Sequence, residues 1–219
     1  MSLSSEITVT CPVCQNNYPF RIWISINTEE NPELKKAIQD RSAFLFKCPD
    51  CGAKSYIDYG FLYHDMENRI MLYYADSKES AEETYLMFIG RARAGIAQIF
   101  QEKKYLIRIV RSQNELLEKV AIFDAGLDDR IIEICKVFIL GSIQDQDPDA
   151  KGIKILYFWE SGKNFFRVLS NGKPYAESEI LPEMYEEIQK EYGGRIPDIR
   201  SDDLFIDRKW AYRIMGLKK

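Results

Sequence analysis

The alternation of apolar and polar positions divides the chain into short strands and a few longer helices. Residues 20–27 (FRIWISIN) alternate and are rich in aromatic and β-branched side chains, which predicts a strand. Asn31-Pro32-Glu33 opens a short helix to about Arg41, with proline at its start. Residues 43–47 (AFLFK) form a second strand, and 55–74 form two more with a turn at Asp65–Arg69. A helix is expected from about Ala81 to Lys103. Ser80 and Glu83 form a capping box, and Tyr85, Phe88, Ile89, Ala92, Ile96, Ile99 and Phe100 repeat at helical spacing. A strand at 105–111 (YLIRIVR) follows. Ser112 and Glu115 form a second capping box, opening a helix that Gly126 ends. Asp128 and Asp129 start another helix, which reaches Leu140.

Residues 144–152 (QDQDPDAKG) are polar and acidic and contain proline and glycine, so they read as a linker or long loop. Beyond them, 153–160, 164–169 and about 174–180 form a meander, with turns at Ser161-Gly162 and Asn171-Gly172. A helix at Pro182–Tyr192 follows, and 205–215 suggests a last helix or extended segment with Trp210 on its apolar face. The fold class is α+β. A ribbon-like β region at about 9–60 and a helical part at about 80–140 make a domain over 1–143. After the linker, 153–219 forms an α+β region built on an antiparallel meander.

Composition narrows the function classes. Of 219 residues, 46% are hydrophobic and 29% charged, the ordinary mix of a globular protein able to bury its own core. The net charge is −4. Residues 1–60 carry 6 basic against 7 acidic side chains, so the expected ribbon is not the basic surface that coats nucleic acid or anionic lipid. No apolar run is long enough to span a bilayer, and the opening residues lack the basic start and apolar core of a secretory signal. A cytoplasmic location is the expectation. The chain has a single histidine, His64, whereas most metallohydrolase sites need two or three.

Five cysteines stand at 11, 14, 48, 51 and 135. The first four form two CxxC pairs, Cys11-Pro12-Val13-Cys14 and Cys48-Pro49-Asp50-Cys51, the second followed by Gly52. Two intervening residues let the chain turn tightly enough for both sulfurs to reach one ion, and the amides beyond the first cysteine can donate to its sulfur. Proline stiffens that turn, and glycine after the last cysteine can take φ > 0. The pattern reads as Cys11, Cys14, Cys48 and Cys51 around one Zn²⁺. Redox dithiols or disulfides are the competing readings. The gap between the pairs exceeds that of a plain zinc ribbon and must hold structure of its own. Four thiolates close a tetrahedral shell, so the zinc is read as structural rather than catalytic.

The two pairs, together with Tyr63-His64-Asp65, Asn114-Glu115-Leu116-Leu117-Glu118-Lys119 and Gly126-Leu127-Asp128-Asp129-Arg130, resemble the CpXC-domain proteins of bacteria. The resemblance covers roughly residues 9–140. It implies zinc binding through Cys11, Cys14, Cys48 and Cys51, and implies no activity.

Other candidate chemistry reads more plainly as structure. His64 suits a turn histidine that bonds a neighbour, although a general base is the sharper alternative. Cys135 sits among Ile132, Ile134 and Phe138 and reads as a core thiol. Asp124, Asp128, Asp129 and Glu133 could bind a hard cation, but Asp128 and Asp129 fit the first turn of a helix, with Arg130 as an ion-pair partner. Arg91, Arg93, Lys103, Lys104, Arg108 and Arg111 read as a solvated surface. The expectation is a zinc-stabilised interaction module that binds another protein or itself, with Trp23, Trp159 and Tyr175 as possible contacts. A nucleic-acid-binding ribbon and an enzyme with a site near His64 are the alternatives.

Overall fold

The structure, a computed structural model, describes residues 2–92, 105–196 and 203–217, with backbone alone at 89–92. The chain is α+β and divides into two compact units, Met1–Leu117 and Glu118–Lys219.

The first unit is built on a five-stranded mixed sheet of order β1-β2-β5-β6-β7. Its strands are β1 (Leu3–Thr10), β2 (Asn17–Asn27), β5 (Phe61–Asp65), β6 (Ile70–Tyr74) and β7 (Leu106–Val110). β1–β2 and β5–β6 are antiparallel pairs, whereas β2–β5 and β6–β7 are parallel. Along β5 and β6 every second residue is buried, so Phe61, Tyr63, Ile70, Leu72 and Tyr74 share one face. Phe44, Tyr59, Phe61 and Tyr74 make a contiguous aromatic core, with ring centroids 5.4–6.0 Å apart. Between β2 and β5 lie α1 (Pro32–Gln39), the 3-10 turn Ser42–Phe44 and a separate hairpin of β3 (Leu45–Lys47) and β4 (Lys54–Tyr56).

Strand β1 is absent from the sequence reading. As an edge strand it is exposed almost throughout, so it lacks the apolar alternation that marks a half-buried strand. Only Ile7 and Val9 turn inward, in step with Cys11. Helix α2 (Lys78–Ala92) starts earlier than the Ser80 capping box implies, because the Ser77 hydroxyl accepts the Ser80 amide. Its inner face runs through Ala81, Thr84, Tyr85 and Phe88. The expected continuation through Ile96, Ile99 and Phe100 to Lys103 lies outside the described residues, as do the side chains of Ile89 and Ala92.

The division between the units falls inside α3 (Gln113–Asp124). Ser112 Oγ caps the Glu115 amide, and the Glu115 carboxylate accepts the Arg111 amide. Gly126, at φ +70°, ends α3 with the paired bonds Gly126 N–H to Phe123 and Leu127 N–H to Ile122.

In the second unit, α4 (Asp129–Gln146) extends past Leu140 through the first residues of the 144–152 segment. Pro148 sets its end, since the residue before a proline is disfavoured in helical conformation. The three-stranded antiparallel sheet, β8 (Ile153–Glu160), β9 (Lys163–Ser170) and β10 (Lys173–Glu179), has order β10-β9-β8. Ser161-Gly162 and Asn171-Gly172 are both at positive φ, as two-residue hairpin loops require. Helices α5 (Pro182–Tyr192) and α6 (Arg208–Met215) complete the unit. Ile131, Ile132, Ile134 and Cys135 of α4 pack with Tyr157, Phe166, Trp210 and Ala211 in one core. No helix among the described residues is long and apolar enough to cross a membrane.

Candidate metal centre

Each CxxC pair occupies the loop of a hairpin: Cys11 and Cys14 between β1 and β2, Cys48 and Cys51 between β3 and β4. The two loops repeat one backbone design. In the first, the Cys11 amide bonds Asn16 O at 2.9 Å and the Gln15 amide bonds Cys11 O at 3.1 Å. In the second, the Cys48 amide bonds Ala53 O at 2.8 Å and the Gly52 amide bonds Cys48 O at 3.0 Å. The residue after the second cysteine is left-handed in both, Gln15 at φ +61° and Gly52 at φ +71°. Glycine supplies this without strain in one loop; in the other a glutamine bears it.

The four cysteine Sγ atoms lie within 4.8 Å of one another. Across the loops, Cys11 faces Cys51 at 3.6 Å and Cys14 faces Cys48 at 3.6 Å. A tetrahedron with metal–sulfur bonds near 2.3 Å has sulfur–sulfur edges of about 3.8 Å, so the group fits an ion of this kind. A disulfide would need about 2.05 Å, and all five cysteines are free thiols here. Beneath the sulfurs, Val9 and Phe46 join Cys11 and Cys48 in a small core, flanked by Ile7, Cys14, Tyr18, Phe20, Ala53 and Ile57. This core packs side chains of both hairpins against one another. The Asn16 side-chain amide also donates to Asp50 Oδ2 at 2.8 Å, tying one loop to the other.

Amide groups set the character of each thiol. The Cys14 amide, helped by that of Val13, holds Cys11 below the usual thiol range despite burial. Burial alone would raise Cys48, but the amides of Cys51 and Asp50 outweigh it and bring the thiol down to about 6. At Cys14 the Asn16 amide lowers the pKa, yet desolvation and the Cys48 and Cys11 sulfurs leave it raised. At Cys51 the Ala53 amide is likewise outweighed by desolvation and the neighbouring sulfurs, which push it up to about 11. The first cysteine of each loop is thus buried and the more acidic thiol of its pair, and the second is the less acidic one.

Sequence reasoning missed Asn16, Asp50 and Gln15, which lie beside or between the cysteines and belong to neither CxxC pair's ligand set. The equal positions of Gln15 and Gly52 in their loops were the one available signal.

The remaining candidates lie elsewhere. His64 is on β5, its Nε2 3.0 Å from the Tyr105 hydroxyl, and burial lowers its pKa. Cys135 is fully buried in the second core, where burial pushes its thiol up to about 12. Asp128 caps α4, accepting the Arg130 amide at 2.9 Å and pairing with its guanidinium at 2.6 Å. Asp129 and Glu133 are not surface carboxylates. Asp129 meets Lys119 at 2.8 Å, and Glu133 meets Lys136 at 2.6 Å, all four buried. Of the basic cluster, Arg108 is buried and bonds Ile107 O, while Arg93, Lys103, Lys104 and the Arg91 side chain lie outside the described residues. Trp159 and Tyr175 are exposed, and Trp23 is half-buried.

No curated protein and no solved structure matches the chain. The CpXC protein family matches residues 9–136, a span that holds both cysteine loops, and the chain belongs to that family.

Proposed function

We propose that one structural Zn²⁺, held by Cys11, Cys14, Cys48 and Cys51, braces the first unit of a protein that works by binding another protein or a second copy of itself. The observation behind this reading is the convergence of four sulfurs within 4.8 Å from two separate hairpins. All-sulfur donor sets suit zinc over harder cations, and four thiolates leave no position for water or substrate. Such an ion contributes folding free energy instead of chemistry. Unoxidised thiols fit a reducing compartment such as the cytoplasm. Exposed Trp159 and Tyr175 supply the large amphipathic side chains that protein contacts favour.

The test joins metal analysis to a measurement of association. The protein purified without added metal should hold about one zinc ion per chain. Serine at any of the four cysteines should lower that content and loosen residues 9–60. Analytical ultracentrifugation and native pull-down should reveal a dimer or a stoichiometric protein partner. Full zinc retention in the serine variants would refute the ligand set, and a lone monomer that retains no protein would refute the interaction role.

A further inference from the structure

The four sulfurs are unequally protected. Cys11 and Cys48 are buried, Cys14 is half-buried, and Cys51 is exposed. The chain beside Cys51 offers no cover: Pro49, Asp50 and Gly52 are all exposed, and the space where a Gly52 Cβ would sit is empty to 4 Å. From the other loop, the Cys11 sulfur reaches to 3.6 Å from that of Cys51. Once those two are joined, Cys14 and Cys48 remain, also 3.6 Å apart and also on different loops.

We infer that Cys51 is an oxidation site, the first of the four to react with hydrogen peroxide, and that its oxidation closes a Cys11–Cys51 disulfide between the two loops and frees the metal. The inference rests on the zinc reading above. The Cys51 thiolate attacks one peroxide oxygen; an S–O bond forms, the O–O bond breaks and hydroxide leaves. The Cys11 thiolate then attacks the Cys51 sulfur; an S–S bond forms, the S–O bond breaks and a second hydroxide leaves. Two electrons pass from two thiolates to one peroxide, and the ion loses two of its four ligands. A second peroxide joins Cys14 to Cys48 in the same way. Val9 and Phe46 pack the two hairpins against one another beneath the sulfurs, and oxidation exchanges an ion for covalent links across the same gap.

Exposure selects Cys51 as the entry point, and the 3.6 Å approach of Cys11 from the other loop offers it a partner. A redox pair confined to one CxxC, the habit of dithiol oxidoreductases, would instead give Cys11–Cys14 and Cys48–Cys51. The two outcomes yield different disulfide-linked peptides.

The experiment takes the full-length protein, measures its zinc, and adds hydrogen peroxide in limiting steps. A metallochromic dye reads released zinc, and mass spectrometry of the alkylated digest reads each cysteine. Zinc release in step with peroxide, Cys51 as the earliest modified residue and Cys11–Cys51 as the first disulfide are expected. Disulfides within each CxxC, earliest modification at Cys14, or zinc and thiols untouched by excess peroxide would overturn the inference. A protein that carries no zinc before peroxide fails the zinc reading instead, a result seen before the oxidation begins.

Discussion

The two units handle clustered polar groups in opposite ways. In the first, four thiols converge and only an outside cation can balance them once ionised. In the second, Glu118, Lys119, Asp129, Glu133 and Lys136 are all buried and bring their own counter-ions. Lys136 lies 2.8 Å from Glu118 and 2.6 Å from Glu133, and Lys119 lies 2.8 Å from Asp129 and donates to Ile206 O at 3.1 Å. Glu118 also accepts the Tyr157 amide of β8. Burial would lower the Lys136 pKa, yet the two carboxylates beside it prevail and raise it. On the zinc reading proposed above, one unit takes an ion from its surroundings, whereas the buried charges of the other pair among themselves. Chelators and oxidants should therefore touch the first alone, and substitutions that unbalance charge should touch the second alone.

The largest effect belongs to the cage. Cys48→Ser, or chelation of the wild-type protein, should speed amide exchange across residues 9–60 severely, because structural zinc carries on the order of 10 kcal/mol of binding free energy. Exchange in α4 should stay as it was. Next comes Lys136→Met, which strands Glu118 and Glu133 in the interior and should cost about 3–5 kcal/mol in denaturant unfolding of the second unit. Zinc content should be unchanged in that variant, and a loss of zinc would dissolve the contrast.

Glu133→Gln sharpens the comparison from the other side. Burial holds the Glu133 carboxyl above its usual range, so its folded value exceeds its unfolded one. Its contribution to stability is therefore fully present in acid and is lost as pH rises through the folded value. Glutamine, which does not titrate, should remove that decline while keeping the contact with Lys136. A stability–pH profile identical to wild type would contradict this. The smallest effects test the twin loops. Gly52→Ala should cost about 1 kcal/mol and Gln15→Gly should gain a comparable or smaller amount, read by thermal melts of the zinc-loaded protein.

The same contrast explains what the amino-acid sequence reveals. The cysteine loops are legible because each ligand pair is local and cysteine is scarce; the hairpin turns at Ser161-Gly162 and Asn171-Gly172 are legible for the same local reason. The buried charges are not legible. Glu118, Lys119, Glu133 and Lys136 look like ordinary helix-surface residues, and only tertiary packing tells that they face inward. Strand β1 is hidden because an exposed edge needs no apolar alternation, while Gly141 within α4 and the distant Pro148 misplace a helix end by six residues, from Leu140 to Gln146. The tie between Asn16 and Asp50 is invisible for want of any rule linking residues 34 apart.

X-ray absorption at the zinc edge of the protein as purified tests the central claim most directly. Four sulfur scatterers at about 2.3 Å and no oxygen or nitrogen neighbour are expected. A nitrogen or oxygen ligand in the first coordination sphere, or a protein devoid of bound metal, would contradict the sealed four-sulfur cage.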